Sequence, residues 1–531
     1  MAPRMLALAL LLALAAAADL PPEEWDRARA EAAQLAAKEG EQERKVALVA
    51  AVRQEDSARA AELLLGLASA CAKRRDDLAP RASKAADDYM KIDRQLRKKH
   101  GRGVKREVLE RDPEWRRKRE TFEELGGNLD ADVAALEAIG EAVGAMRSTA
   151  AAAVLADASR PGGLAARRAP EVRAGVLAAL LAQPGDAFDG AILAFASDVD
   201  LPFARVRVLD RIAARRMPAG FDAAADCLAA DHPIVVRAAI AALRALDDPR
   251  AVPRLVAARR DVTGLAAEEM DTLLYRFTGK KFTGTGADAM WAGWWRSEGE
   301  AWLASAGGDR YEGAPGARGG AEFYGIETRS NRIVFVLDRS HSMRLPVPRK
   351  GPVTGGKGEE GVPGNTKLEV ARNQLARTIG KLAPDVKFNV IFFGAKCQAW
   401  HEPPGLLAAT AENKRAAVGW FEEIPPEGST ATFDALALAL QYAKVGGGKS
   451  STDPAGADTI YLLSDGAPTG PDGADLLLGP GLDAEIAKFL EANRDFKCVV
   501  NTVGVGPDHN RELMMRLARE TGGTYRAVGV D

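Results

Sequence analysis

The chain has 531 residues, 47% of them hydrophobic, and its 72 Lys and Arg against 74 Asp and Glu give a formal charge of −2. Such a length allows several domains with sizeable cores. The near-neutral charge argues against a dedicated nucleic-acid binder and a polybasic membrane-surface protein, and abundant alanine with 6% aromatics favours helical layers over a β-sandwich.

Arg4 precedes a Leu/Ala run over residues 5–18, and Ala16-Ala17-Ala18 supplies small residues just before Asp19. A charged start, a short apolar run and a small-residue site are the parts of a secretory signal peptide. Residues 1–18 are therefore expected to direct export to the periplasm, cell envelope or exterior. No later stretch reads as a transmembrane helix. Cys71, Cys227, Cys397 and Cys498 are scattered, without zinc or redox spacing, and are expected as buried free thiols.

Residues 19–148 form a charged helical region, with apolar residues at helical spacing over 23–38, 44–52, 58–71, 82–100, 106–125 and 130–146. The basic group Arg97, Lys98, Lys99, His100, Arg102 and Lys105 reads as a solvated helix end, since acids flank it. Over 149–304 the pattern becomes repetitive. Val172-Arg173, Val206-Arg207 and Val236-Arg237 each open an Ala/Leu-rich helix, followed by a turn and a second apolar helix. Two helices per unit of about 30–34 residues imply a helical solenoid, and these features resemble HEAT repeats. Such stacks either bind a protein partner or act as a spacer. Trp291, Trp294, Trp295 and Trp302 share one helical face and are expected to cap the last repeat. Residues 305–321, rich in Gly and Ala, read as a linker.

The remaining segment, 322–531, alternates strands and helices, which implies a doubly wound parallel sheet. Arg332-Ile-Val-Phe-Val-Leu-Asp338 is an apolar, β-branched run of the kind found in buried parallel strands. Asp338, Ser340 and Ser342 alternate in the turn that follows, at the end of the sheet where such folds bind ligands. Gly428-Ser429-Thr430 gives a further hydroxyl ahead of a helix over 433–444. Thr459-Ile-Tyr-Leu-Leu-Ser464 is a second buried strand ending in Asp465-Gly466. Carboxylate and hydroxyl oxygens suit a hard divalent cation.

Asp-x-Ser-x-Ser, a distant Thr in a Gly-rich turn and a strand-ending Asp-Gly resemble the metal-ion-dependent adhesion site of von Willebrand factor A domains. The resemblance implies that Asp338, Ser340, Ser342, Thr430 and Asp465 hold Mg²⁺, or Mn²⁺ or Ca²⁺. A partner protein would complete the shell with an Asp or Glu carboxylate. His341 departs from the family, which often carries Gly there, and reads as an exposed loop histidine. Residues 344–365 form an insert at the rim of the site. Asp434 is read as a first-turn acid favourable to its helix rather than a ligand. The domain has no nucleophile–base pair, and none of the five histidines has zinc-motif spacing. The expected protein is an exported, non-catalytic adhesion module. The alternatives are an accessory subunit of a chelatase-type ATPase complex and a structural envelope scaffold.

Overall fold

The computed structural model describes residues 30, 42–52, 56–101, 103–160, 169–284, 286–305, 309–312, 321–346, 364–402, 405–443, 456–470, 473 and 475–529. The signal-peptide reading, most of the helix expected over 23–38, most of the linker and most of the 344–365 insert lie outside these residues. The chain divides into two compact units, Met1–Val208 and Leu209–Asp531. Among the described residues no helix is long and apolar enough to cross a membrane.

The first unit is helical. Helices α1 (Gln42–Val52), α2 (Ala58–His100) and α3 (Pro113–Gly144) pack together, followed by α4 (Thr149–Ala158) and α5 (Pro170–Leu181). Two of these are longer than the sequence suggests. The helices expected over 58–71 and 82–100 are one, because the intervening charges lie largely on an exposed face and Pro80 sits where water can reach the carbonyl it frees. Likewise α3 begins afresh at Pro113, capped by the Asp112 carboxylate, and runs through Gly126 and Gly127. Asp132 is fully buried inside this unit, accepting from Arg74 and, at 3.4 Å, from Lys45. Where α3 crosses α5, a Cβ on Gly175 would lie 2.1 Å from the Gly140 carbonyl oxygen. Only glycine lets the two backbones approach so closely. Arg97, Lys98, Lys99 and His100 form the last turn of α2, where Arg97 donates to Asp93.

The second unit joins a helical layer to a sheet. Its helices include α6 (Pro233–Leu246), α7 (Ala251–Ala258), α8 (Gly264–Thr278) and α9 (Ala287–Trp294). Trp291 is fully buried, donates its indole N–H to Asp271, and meets Trp294 edge to face. Trp295 and Trp302 flank Trp294 in the same manner, so the tryptophans pack on one another. Arg237 of α6 is bonded to Glu269 of α8, 32 residues further on, and donates to the Lys497 carbonyl at 2.6 Å. Lys497 in turn donates to Asp210 at 2.6 Å.

The main sheet contains β3 (Arg332–Asp338), β4 (Lys387–Phe393), β5 (Cys397–Ala399), β6 (Leu407–Ala408), β7 (Thr459–Ser464), β8 (Val499–Val505) and β9 (Tyr525–Val528), while β1 (Glu322–Phe323) and β2 (Ile326–Glu327) form a small hairpin. The strand order is β5-β4-β3-β7-β8-β9, with β6 also paired to β4. All central pairings and β9 are parallel, while β5 and β6 are antiparallel. The expected mostly parallel α/β architecture is therefore present. Helices α10 (Lys367–Lys381), α11 (Ala411–Glu422), α12 (Thr432–Ala443), α13 (Gly479–Asn493) and α14 (Arg511–Thr521) alternate with the strands. Strands β3 and β7 are buried almost end to end, and Phe335 stacks on Tyr461 at 5.4 Å in the core. Cys71, Cys227 and Cys498 are buried, as expected, whereas Cys397 on the edge strand is only half-buried.

Candidate functional site

Parallel pairing puts Leu337 opposite Leu463, so the residues that end β3 and β7, Asp338 and Ser464, lie side by side at the carboxyl edge of the sheet. Three loops meet above them, fastened by their backbones. Arg339 N–H donates to the Phe393 carbonyl at 2.7 Å, Glu427 N–H to Arg339 at 2.8 Å, and Thr469 N–H to Thr430 at 2.9 Å. His341 N–H reaches the Gly428 carbonyl at 3.2 Å. Gly428 has φ +73°, and a Cβ there would lie 2.4 Å from that of Ala395, so the Thr430 loop requires glycine at this turn.

The side chains form one connected set. Asp338 accepts from the Ser340 N–H at 2.7 Å and from the Ser464 hydroxyl at 2.5 Å. The Ser340 and Ser342 hydroxyls are 3.0 Å apart, and Ser342 donates to Asp465 at 2.7 Å. The Thr430 hydroxyl lies nearby, since the position a Cβ would take on Gly466 is 3.7 Å from it and 3.9 Å from the hydroxyl of Ser342. Asp338, Ser340, Ser342, Thr430 and Asp465, drawn from three loops, are thus brought together. Asp434 is exposed in the first turn of α12, outside this set, and His341 is exposed in its loop.

Two members were not foreseen. Ser464 caps Asp338 from the neighbouring strand. Lys367, the first residue of α10, is buried with its ammonium 2.6 Å from Asp465. The only sequence signals were that Ser464 directly precedes the strand-ending aspartate and that Lys367 follows the helix-capping Thr366.

Burial, above all, pushes the Asp338 carboxyl up to about 6; hydrogen bonds from Ser340 and Ser464 oppose this, and the charge of Asp465 adds to it. Among the described residues no cationic side chain pairs with Asp338, and no group of three or more His, Cys, Asp and Glu that could hold a metal ion is gathered, so the oxygen donors to be weighed include hydroxyls. A hard divalent cation fits the oxygens present: two carboxylates and three hydroxyls, with one carboxylate buried and without an ion pair among the described residues. The five residues named above are those that would hold it.

A family model described as "von Willebrand factor type A domain" matches residues 363–527. The C-terminal part of this chain carries a von Willebrand factor type A domain. Thr430 and Asp465 fall inside the matched stretch, while Asp338, Ser340 and Ser342 precede it. This A domain is similar to inter-alpha-trypsin inhibitor heavy chain H4 of Homo sapiens, 25% identical over 207 residues, covering 39% of this chain and 19% of the relative. The corresponding protein of Mus musculus is 24% identical over 206 residues, with the same coverage. Heavy chain H2 of Homo sapiens is 25% identical over 162 residues, covering 30% of this chain and 16% of the relative. The match thus spans about a fifth of the length of the H4 chains. Among solved structures, a von Willebrand factor type A protein from Catenulispora acidiphila is 19% identical over 38% of this chain and 39% of that one, with a TM-score of 0.26. The PilB minor pilin from Streptococcus sanguinis is 16% identical over 41% of this chain and 58% of that one, with a TM-score of 0.25.

Proposed function

We propose that the protein is an exported, non-catalytic adhesion module that grips a partner protein through a divalent ion. Asp338, Ser340, Ser342, Thr430 and Asp465 hold Mg²⁺, or Mn²⁺ or Ca²⁺ in its place. The ion supplies a fixed positive charge at the rim, to which an Asp or Glu of the partner binds as a charge-assisted ligand. The observation that carries this reading is the convergence of two carboxylates and three hydroxyls, from loops far apart in sequence, at the carboxyl edge of the sheet. The helical region of 149–304 is read as a HEAT-like stack that holds the A domain away from its anchorage or offers a second surface. The 32-residue spacing from Arg237 to Glu269 supports that period. The apolar run at 5–18 supports export.

The test is capture of partners from a cell-envelope fraction by the purified chain. Retention in millimolar Mg²⁺, loss in chelator and loss with an Asp338→Ala bait are expected. Retention that ignores both chelator and Asp338→Ala would remove the metal from the reading.

A further inference from the structure

The Asp465 carboxylate has both oxygens engaged. Oδ1 accepts from Ser342 at 2.7 Å, and Oδ2 accepts from the Lys367 ammonium at 2.6 Å. Lys367 is 4% exposed and Asp465 is 1% exposed, so this ion pair is sealed from water. The position of the lysine is tightly determined. It opens α10 directly after Thr366, whose hydroxyl accepts from the Glu369 N–H at 3.2 Å while the Glu369 carboxylate accepts from the N–H groups of Asn365 and Thr366. Its own N–H donates to the Leu345 carbonyl at 3.0 Å. The loop after β8 closes the other side, where a Cβ on Gly506 would stand 3.4 Å from the ammonium. A lysine so confined is held against the site's own Asp465 carboxylate.

From this geometry we infer that Lys367 is an internal counter-cation that sets how tightly the site takes a divalent ion. The inference rests on the metal reading above and concerns the regulation of that same site. Asp338, Asp465 and Lys367 together carry one net negative charge. A divalent ion therefore meets an ammonium already bound to one of its two carboxylates, and must share Asp465 with it or displace it. Either course weakens binding, since like charges a few ångströms apart repel strongly in a site closed to water. With the ion in place the cluster is net positive, which strengthens the pull on a partner's carboxylate. Lys367 thus exchanges affinity for the metal against affinity for the acidic ligand.

The experiment is calorimetric titration of the full chain with MnCl₂ alone, for the wild type, Lys367→Met, Lys367→Gln and Asp338→Ala. Lys367→Met is expected to tighten Mn²⁺ binding by at least about tenfold. It is also expected to lower the melting temperature in chelator, because Asp465 is left buried without its cation. Lys367→Gln keeps a donor for Asp465 and drops the charge. It should tighten binding with less loss of stability, so a poorly folding Met variant does not end the test. A lysine that merely braces the loop would lower stability and leave Mn²⁺ affinity unchanged or weaker. That result in both variants, with the wild type binding, overturns the inference while the metal reading stands. Binding by the Lys367 variants alone supports the inference in its strongest form. If no protein binds Mn²⁺, or Asp338→Ala binds as the wild type does, the metal reading fails and takes this inference with it.

Discussion

Replacing Asp338 with Asn removes one charge and almost no volume. The amide oxygen can still accept the Ser340 N–H, and the amide nitrogen can donate to the Ser464 oxygen, so both hydrogen bonds of the wild type have counterparts. What changes is the electrostatics. Burial raises the Asp338 carboxyl from 3.8 to about 6, so the folded state binds its proton more tightly than the unfolded state does. That stabilisation is complete below about pH 4 and is lost as the pH rises through about 6. Each factor of ten in proton affinity corresponds to about 1.4 kcal/mol, and slightly more than two such factors give about 3 kcal/mol. In chelator at about pH 7.5, Asp338→Asn should therefore be more stable than the wild type by up to about 3 kcal/mol, and the gap should close towards pH 4. Millimolar Mg²⁺ should offset most of that gap, since a ligand at a hundred times its Kd adds about 2.7 kcal/mol to the protein that binds it. Urea unfolding followed by tryptophan fluorescence reads both effects, because most tryptophans lie in the second unit. An Asn variant less stable than the wild type in chelator, with Mg²⁺ acting equally on both, would refute the reasoning.

Arg237→Met should lower the stability of the second unit by about 2–3 kcal/mol, because it strands Glu269 and the Lys497 carbonyl, with solvent access to Glu269 softening the loss. An unchanged urea midpoint would show that this clamp contributes nothing. Gly175→Ala should cost the first unit about 1–3 kcal/mol, since the added methyl forces the α3 and α5 backbones apart. A melting curve identical to that of the wild type would refute the close crossing.

The long central strands were legible because their signals are local. The runs 332–338 and 459–464 are apolar and β-branched, each ends in or just before a carboxylate, and such runs need no distant partner to be recognised. Lys367 and Ser464 were not legible as site residues. Their meaning comes from partners 98 and 126 residues away, and nothing in an amphipathic helix start marks one lysine as buried. The long helices of the first unit look shorter in the sequence for a related reason. A charged stretch such as 73–77 and a proline at 80 look like interruptions until the solvent-facing side of the helix is known.

Both borders of the main sheet are brief. One is formed by the three residues of β5 with the two of β6, and the other by the four of β9. A long bare border would offer a ladder of unpaired amides and carbonyls on which another polypeptide could continue the sheet. Such short margins leave little template for edge-on polymerisation, so this domain can be crowded against copies of itself without its strands joining theirs.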